Sequence, residues 1–555
     1  MVTRIVFQEA TKAATKVATK MATKATKKMV KRTASGAKRA TKATLAASSA
    51  ASAMMKDAAQ QAASTVQKDV RRAVTGILGM SGERMTKVDT AWLRMDSASN
   101  LMMIVGVWIL KPGVSYGALC ERVENSLLKF RRFKQRVVED SAGATWVDDK
   151  SFDISKHIII EKLPHVAKGL EQNALQDRVA ELAMKPLDPR RPLWQLHLIE
   201  DYDGGCVLIV RIHHCIADGI ALIAVSMSMV DGGPPPPPQR APKVEKRVGL
   251  EGAEDWIAGT LIKALTQLAV KTLGKTGDNV VSTLEMLTDP KQGISNTVHM
   301  AKIAYQLTTD AAALVLMPDD SPTRLKGTPG TTKKVAWCQP IPLDEVKAVG
   351  KALNCSLNDV LLSCVAGAIG EYLRALGDDT TDQEIRAMVP VNLRPLDQAH
   401  KLGNNFGLAP LVLPIGLENP IERVYEVRRR MGALKGSMQP LLAFGMLALA
   451  GMLIKPAQEA MLNLFSKKTT AVMTNVPGPK EKLKFCGSTL EQSLFWVPQS
   501  GSVGLGVSIL SYGGGVQFGI ISDDTLCPEP QKIIDEFEPE FAKLSLVTLM
   551  LPWGD

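Results

Sequence analysis

The stretch "VLIVRIHHCIADGIALI", residues 207–223, places two adjacent histidines directly after a run of apolar, strand-forming residues. Successive side chains of a strand point to opposite faces, so His213 and His214 cannot both project into one cavity. Asp218 and Gly219 come four and five residues after His214, and helical periodicity then restarts. The pattern predicts a strand, a tight turn and a helix, with one imidazole held at the strand end as a general base near neutral pH.

The remaining residues of this turn have predicted roles of their own. We expect His213 to pack within its own lobe, and Asp218 to bind backbone groups or an arginine and so fix the loop. Gly219 permits either a positive φ or the close approach of another backbone. No further His, Cys or Glu cluster is near in sequence, which disfavours a metal site. The alternative is that the histidine pair is incidental and purely structural.

Composition narrows the class of protein. A chain of 555 residues with 45% hydrophobic and 22% charged residues is long enough for two or three globular domains. Its eight cysteines form no C-x-x-C pair, and several lie in apolar runs. This usage indicates a reducing compartment and argues against a disulfide framework or a structural zinc site. No N-terminal apolar signal region is present, so we expect a cytoplasmic rather than a secreted protein.

The positive charge is concentrated at the N-terminus. Residues 1–80 contain sixteen Lys and Arg and three acidic residues, which gives this segment a net charge of +13. The whole chain has a net charge of +11, so residues 81–555 carry −2. The segment is a low-complexity Ala/Thr/Lys tail, either disordered or a basic helix. Three interpretations stay open: a solvated tail, a contact with an anionic membrane or lipid-body surface, and a nucleic-acid contact. The last is disfavoured because Phe7 is the one aromatic residue in the segment available for base stacking.

The rest of the chain is predicted to form two α/β lobes joined by a long crossover. The first lobe spans 84–230, a Pro-rich linker and helical crossover spans 231–332, and the second lobe spans 333–555. The periodicity predicts the following elements: strands over 101–110 and 207–214, helices over 117–138 and 356–376, a helical stretch over about 254–317, and a hairpin over 501–523.

One segment, residues 441–454, is wholly apolar for fourteen residues. It is shorter than the ~20 residues that a bilayer-spanning helix needs. A buried helix is the preferred interpretation. The alternatives are a surface that dips into lipid or lines an acyl channel, and a transmembrane helix.

An ordered set of motifs resembles one family. "HHCIADG" (213–219) matches the HHxxxDG signature of the CoA-dependent acyltransferase superfamily, and the flanking motifs resemble its wax ester synthase/diacylglycerol acyltransferase branch. The resemblance covers roughly residues 84–550. Its motifs are "DTAWL" (89–93, with Trp92 where Phe is more usual), "PLW" (192–194), "ND" (358–359), "VPVNLRP" (389–395), "GNNFG" (403–407) and "TNVPGP" (474–479). The first eighty residues and "NLMMIVGV" (100–107), in place of a P-M-H motif, depart from the family pattern.

The resemblance implies two chloramphenicol-acetyltransferase-like lobes with mixed sheets, packed as a pseudo-dimer around a central channel. It implies His214 as the general base, with His213 supporting it and Asp218 and Gly219 structural. Asn358 is either a donor near the developing oxyanion or a residue that holds the start of its helix. No cofactor is expected, because acyl-CoA is a substrate.

The implied function is transfer of a long-chain acyl group from acyl-CoA to a fatty alcohol or diacylglycerol, without an acyl-enzyme. Two alternatives remain: a small-molecule or polyketide O-acyltransferase, and a non-catalytic lipid-body-binding protein. We expect a monomer or homodimer, peripheral at the inner membrane face or at lipid bodies through residues 1–80 and 441–454.

Overall fold

The computed structural model describes residues 82–140, 143–236, 317–394, 401–435, 437, 439–453 and 455–550. The basic tail, the predicted helical stretch over about 254–317 apart from its last residue, and most of the Pro-rich linker lie outside the described residues. In the first half of the chain the elements are β1 (Glu83–Arg84), α1 (Lys87–Arg94), β2 (Met103–Lys111), α2 (Tyr116–Asn125), β3 (Gln135–Asp140), β4 (Gly143–Asp148), β5 (Ile158–Glu161), α3 (Glu171–Ala183), β6 (Trp194–Tyr202), β7 (Gly205–His213) and α4 (Gly219–Met229).

The second half contains a comparable set of strands and more helix. Its elements are β8 (Lys333–Trp337), β9 (Ile341–Pro342), α5 (Leu343–Ala352), α6 (Leu357–Ala375), β10 (Ile385–Asn392), β11 (Phe406–Leu413), α7 (Pro420–Lys435), α8 (Gln439–Ala450), α9 (Lys455–Ser466), β12 (Ala471–Pro477), β13 (Lys484–Phe485), β14 (Ser488–Trp496), β15 (Leu505–Tyr512), β16 (Gly515–Asp523) and α10 (Pro530–Met550).

Two large mixed sheets form the frame. The first has the order β13–β14–β2–β7–β6–β5 and is antiparallel except for the β5–β6 pair. The second has the order β11–β10–β12–β15–β16–β8, with β9 also pairing with β16, and its β10–β12 and β12–β15 pairs are parallel. A smaller sheet, β1–β4–β3, completes the described strands. The predicted fold class, two α/β lobes with mixed sheets, is confirmed.

The C-terminal half contributes strands to the first sheet. β14 comes from the C-terminal half but pairs with β2 of the first sheet, from Thr489 opposite Lys111 to Trp496 opposite Val105. The predicted lobe spanning 333–555 is therefore not continuous in space, because β13 and β14 complete the sheet of the first lobe. The pairing register of distant strands is set by three-dimensional contacts, so local periodicity gave no sign of it.

Most predicted elements form close to their expected positions. Strand β7, helix α6 and the β15–β16 hairpin are confirmed, and the hairpin turns at two glycines with positive φ, Gly513 and Gly514. The helix predicted over 117–138 is wrong in its second half. It stops at Asn125, passes through short 3₁₀ turns over 127–134 and continues as β3. Phe130 and Phe133 are buried there, so burial of aromatic rings outweighs helical periodicity.

The apolar segment 441–454 forms most of helix α8. Its side chains Leu442, Phe444 and Ala448 are buried, which confirms the preferred interpretation of a buried helix. Among the described residues, none of the helices is by itself both long and apolar enough to cross a bilayer; two sharply bent helix pairs reach that length and composition only when each pair is taken together.

Candidate active site

The HHxxxDG loop, residues 213–219, joins the end of β7 to the start of α4. His213 is the last residue of the strand and Gly219 is the first of the helix. The backbone N–H of His214 donates to the carbonyl of Met102 at 2.7 Å, which holds the loop against the residue before β2. The two histidine rings then reach different surroundings, as the alternation of strand side chains predicts.

His214 lies in an aromatic setting. Its imidazole stacks on the indole of Trp92, with ring centroids 4.2 Å apart and an interplanar angle of 11°, and Phe406 approaches at 5.6 Å. The residue is only 4% exposed, and its Nδ1 atom is buried without a hydrogen-bond partner. Burial lowers the pKa of His214 to about 4, although its own backbone carbonyl and Asn404 act in the opposite direction. The ring is therefore neutral at physiological pH.

His213 faces away from this aromatic pair. Its Nε2 lies 3.3 Å from a carboxylate oxygen of Asp96, and its Nδ1 accepts the backbone N–H of Cys215 at 3.2 Å. Burial opposes the charged form of His213, but Cys215 and Asp96 together raise its pKa above the usual range. The same Asp96 oxygen accepts the backbone N–H of Met102 at 2.6 Å, so this cluster ties together both sides of the loop.

Asp218 is buried and makes its bonds within the protein framework. Its carboxylate accepts from the guanidinium of Arg394 at 3.0 Å and from the backbone N–H groups of Ala221 and Asn405 at 3.0 and 2.8 Å. It is thus the N-cap of α4 and an ion-pair partner across the lobes. The sequence suggested backbone groups or an arginine as partners of this residue, and in the structure it contacts both.

The GNN loop, residues 403–405, comes from the second lobe and hydrogen-bonds to the backbone of the HHxxxDG loop. The side-chain amide of Asn404 donates to the backbone carbonyl of His214 at 2.7 Å and to Asp89 at 2.8 Å. Gly403 bonds through its backbone to Ile216 and Asp218. Asp89 lies on α1 and is fully buried, and its burial raises the pKa of its carboxyl group. The position of His214 is therefore fixed by residues from both lobes.

The structure shows neither of the two backbone roles expected for Gly219, a positive φ or the close approach of another backbone. It has no positive φ, and a Cβ built on it would meet no atom within 4 Å. Neither a left-handed backbone nor the close approach of a second backbone explains this glycine. It lies at the wall of the cavity beside His214, so a side chain here would project into open space.

A cavity of about 370 Å³ opens beside His214, and both lobes line it. Its wall is mainly apolar and includes Trp92, Phe406, Met446, Leu447, Met461 and Phe465. Helices α8 and α9 form one side, so the apolar segment 441–454 lines this space as well as being buried. A pocket of this size, apolar with few polar groups, suits a hydrophobic ligand.

Strands β10 and β12 separate at the cavity. They are paired only where Ala387 and Met388 face Ala471 and Val472, although both strands continue further. The cavity is lined beyond that point by Pro390 and Asn392 on one strand and by residues 474–477 on the other. The space therefore extends into the gap between two parallel strands.

Asn358 is not part of the cavity wall. Its exposed side chain lies in the first turn of α6 and accepts a hydrogen bond from the amide of Asn475 at 2.9 Å. Asn475 does line the cavity, and it lies in strand β12. Ser356 caps the helix in a capping box with Asp359.

Trp92, Asp89, Asn404, Phe406 and Arg394 were not identified as site residues from the sequence. All five lie inside motifs that carried the family resemblance, so the motifs were the available signal. Their roles depend on contacts between segments about 100 to 300 residues apart, which one sequence does not reveal.

Comparison with known proteins identifies the same motifs as parts of one family. The model of the wax ester synthase/diacylglycerol acyltransferase catalytic domain matches residues 85–361. The model of the C-terminal domain of the same family matches residues 402–545. Together they include the HHxxxDG loop and every other motif named above except VPVNLRP (389–395), which lies between the two matched ranges.

Named relatives and a solved structure agree with this assignment. Two Mycobacterium tuberculosis H37Rv proteins named as diacylglycerol O-acyltransferases are each 25% identical to this chain. The first match includes 84% of this chain and 96% of the relative. The second match includes 82% of this chain and 97% of the relative. The wax ester synthase/diacylglycerol acyltransferase of Marinobacter aquaeolei VT8 superposes with a TM-score of 0.57 at 20% identity, over 84% of this chain and 99% of that chain. The shared fold is therefore established over nearly the whole relative.

Proposed function

This chain belongs to the wax ester synthase/diacylglycerol acyltransferase family, and we propose that it transfers a long-chain acyl group from acyl-CoA to the hydroxyl group of a fatty alcohol or a diacylglycerol. One observation carries the proposal: a neutral histidine of the HHxxxDG loop, His214, lies at the wall of an apolar cavity lined by both lobes. Relatives named as diacylglycerol O-acyltransferases and a solved wax ester synthase with the same fold support it.

In the proposed reaction His214 is the general base. It accepts the hydroxyl proton as the alcohol oxygen attacks the thioester carbonyl carbon. The tetrahedral intermediate then collapses, the C–S bond breaks, and the imidazolium returns its proton to the departing thiolate, giving the ester and free CoA. General-base help of this kind contributes about 10²–10⁴-fold, so positioning must supply much of the remaining acceleration.

The electrostatics of His214 agree with this role. A base must be unprotonated before reaction, and burial keeps this ring neutral. Because Nδ1 is enclosed without a partner, we assign the accepting role to Nε2. The stack on Trp92 and the Asn404 contact to the backbone of His214 restrict the ring and its loop.

We assign stabilisation of the developing oxyanion to Asn475, with Asn358 as its positioning residue. Two nearby polar side chains of the cavity wall are already engaged: Asn392 bonds to the backbone of Arg394, and the hydroxyl of Thr474 donates to Val507. The Asn475 amide uses one N–H on Asn358 and keeps the other for a ligand. An amide donor aimed at developing charge is a common form of transition-state stabilisation.

The other residues of the loop are proposed to position His214. Asp218 holds the start of α4 through Arg394, His213 anchors the loop through Asp96, and Gly219 leaves space for substrate. None of these side chains is given a role in proton transfer.

We further propose that the protein associates peripherally with a lipid surface at the cytoplasmic side through residues 1–80, as a monomer or homodimer. The proposed substrates are insoluble, and the segment carries a charge of +13 that anionic lipid headgroups attract. Helix α8 is largely buried, so it contributes little to this contact. Flotation with anionic liposomes should require residues 1–80, and equal flotation of a variant that lacks them would refute their part.

The main proposal is tested by thiol release from palmitoyl-CoA, with hexadecanol or dioleoylglycerol as acceptor and His214→Ala beside the wild type. We expect acceptor-dependent release that falls by at least about 10²-fold in the variant. The ratio of the two acceptor rates ranks wax ester against triacylglycerol formation. Release that is unaffected by the substitution would contradict the role of His214.

A further inference from the structure

A second pocket lies at the start of helix α6, on the side of Asn358 away from the catalytic cavity. It has a volume of about 530 Å³ and is formed by the end of α5, the loop before α6 and the C-terminal half of α7. Three of its lining residues are cations, Lys351, Arg428 and Lys435. Nothing in the proposed chemistry of His214 uses this pocket.

The three cations are available to a ligand. Lys351, Arg428 and Lys435 are exposed, and none of them forms an ion pair within the part of the chain that the structure describes. The one carboxylate in the pocket, Asp359, is buried and already accepts the backbone N–H of Ser356. The pocket is therefore locally positive, although residues 81–555 together carry −2.

The two pockets are separated by a single helical turn. Ser356 and Asp359 line the basic pocket, whereas Asn358 between them bonds to Asn475, which lines the catalytic cavity. The cavity reaches this turn through the gap where β10 and β12 separate. A ligand with a narrow arm could thus lie with one end beside His214 and its other end among the cations.

We propose that the basic pocket, Lys351, Arg428 and Lys435, binds the phosphate groups of acyl-CoA while its pantetheine arm passes the Asn358–Asn475 pair. The inference rests on the proposed acyl-CoA chemistry, since that donor has a narrow, uncharged arm between a reactive thioester and a polyanionic nucleotide. A guanidinium and two ammonium groups are the side chains that proteins use to bind phosphate. The helix N-terminus contributes less, because its capping box already occupies the N–H groups of Ser356 and Asp359.

The test measures equilibrium binding of CoA by titration calorimetry, which needs no turnover. The double variant Lys351→Gln/Arg428→Gln should raise the Kd at least about tenfold, the effect of losing one charge-assisted contact. Arg429→Gln is the matched control. Arg429 is the next residue on the same helix, but it lies outside the pocket and is paired with Glu426. It should leave the Kd within about twofold.

Further probes separate the sources of phosphate. The ligand 3′-dephospho-CoA should bind more weakly than CoA to the wild type, with the difference reduced in the double variant. His214→Ala should bind CoA like the wild type. A wild type that binds CoA but shows no acceptor-dependent thiol release would sink the proposed function and leave this inference standing. Unchanged CoA affinity in the double variant, or no CoA binding by the wild type, would overturn the inference. Weakened binding to anionic vesicles with unchanged CoA affinity would also overturn it and assign the pocket to a lipid headgroup.

Discussion

At the scale of single residues, the stack of Trp92 on His214 explains how a histidine stays neutral inside the protein. A flat indole ring 4.2 Å away excludes water from one face of the imidazole, and desolvation disfavours the charged form. The sequence singled out His214 from its motif alone. It could not supply the ring that covers His214, because Trp92 lies more than a hundred residues earlier in the chain.

The first prediction concerns the pH dependence set by this stack. A general base is lost as pH falls through its pKa, so a pKa of about 4 predicts that kcat/KM stays flat down to about pH 5 and falls only below it. Trp92→Ala admits water, which should move this acid limb up toward the unperturbed value of about 6.5. The measurement is the initial rate with radiolabelled acyl-CoA from about pH 4.5 to 8.

The control for that experiment keeps an aromatic ring. Trp92→Phe retains the cover over His214, so its acid limb should stay with the wild type and its kcat should change only a few-fold. A limb that moves equally in both variants, or in neither, would contradict the role of stacking. A limb near pH 6.5 in the wild type would show that His214 is solvated in solution.

A second prediction concerns the Asn475–Asn358 pair. Asn475→Ala removes the amide donor from the cavity wall, so kcat should fall by about 10²-fold with little change in KM for acyl-CoA, as for other oxyanion donors. Asn358→Ala removes only its hydrogen-bond partner and should give a smaller loss of kcat. A larger loss of kcat in Asn358→Ala than in Asn475→Ala would contradict the assignment of Asn475 as the donor and Asn358 as its positioning residue. Asn392→Ala, which removes a lining amide with local bonds, is the control.

At the scale of elements, the junction of β7 and α4 shows how a catalytic loop is held by a second lobe. The sequence predicted the strand, the turn and the helix, because apolar runs and helical periodicity are local signals. It also suggested an arginine partner for Asp218. It could not identify Arg394 as that partner, because the pair forms only when the two lobes pack.

A third prediction measures that inter-lobe pair. Arg394→Gln leaves the buried carboxylate of Asp218 without its charge partner, and such a loss costs about 3–5 kcal/mol. We expect the free energy of unfolding in urea to fall by roughly this amount. Asp218→Asn in the same chain should recover part of the loss. The exposed pair of Arg324 and Asp378 is the control, and Arg324→Gln should change stability little.

A fourth prediction concerns the space at the start of α4. Gly219→Val adds a side chain at the cavity wall, where a Cβ meets no atom within 4 Å, so the protein should fold but prefer shorter substrates. We expect the ratio of kcat/KM for palmitoyl-CoA to that for octanoyl-CoA to fall at least about tenfold, the upper range for a few methylene groups in an apolar pocket. Gly117→Val, in the first turn of α2 and also without neighbours, is the matched control. An unchanged ratio would place the acyl chain elsewhere.

At the scale of the whole molecule, strand β14 of the C-terminal half joins the two lobes by pairing in the first sheet. The first sheet reaches its full width only when β14 pairs with β2. Without β14, the edge of β2 would expose a long apolar strand, which is a template for aggregation. The linear order of motifs indicated two lobes of separate sequence, and only the paired register shows that the first lobe depends on the C-terminal half.

The last prediction follows from this strand pairing between the two halves of the chain. Residues 1–236 expressed alone should aggregate, because β2 has no partner on one side, whereas coexpression with residues 317–555 should give a soluble complex of the two fragments. The complex should also regain acceptor-dependent thiol release, since His214 comes from one fragment and Asn404 from the other. Gel filtration of the coexpressed fragments is the measurement, with Leu494→Lys in the second fragment as the control that should prevent pairing by placing a charge at a buried position of β14. A first fragment that is soluble and monomeric by itself would mean that its sheet is stable without β14, and the two lobes would then be independent folding units.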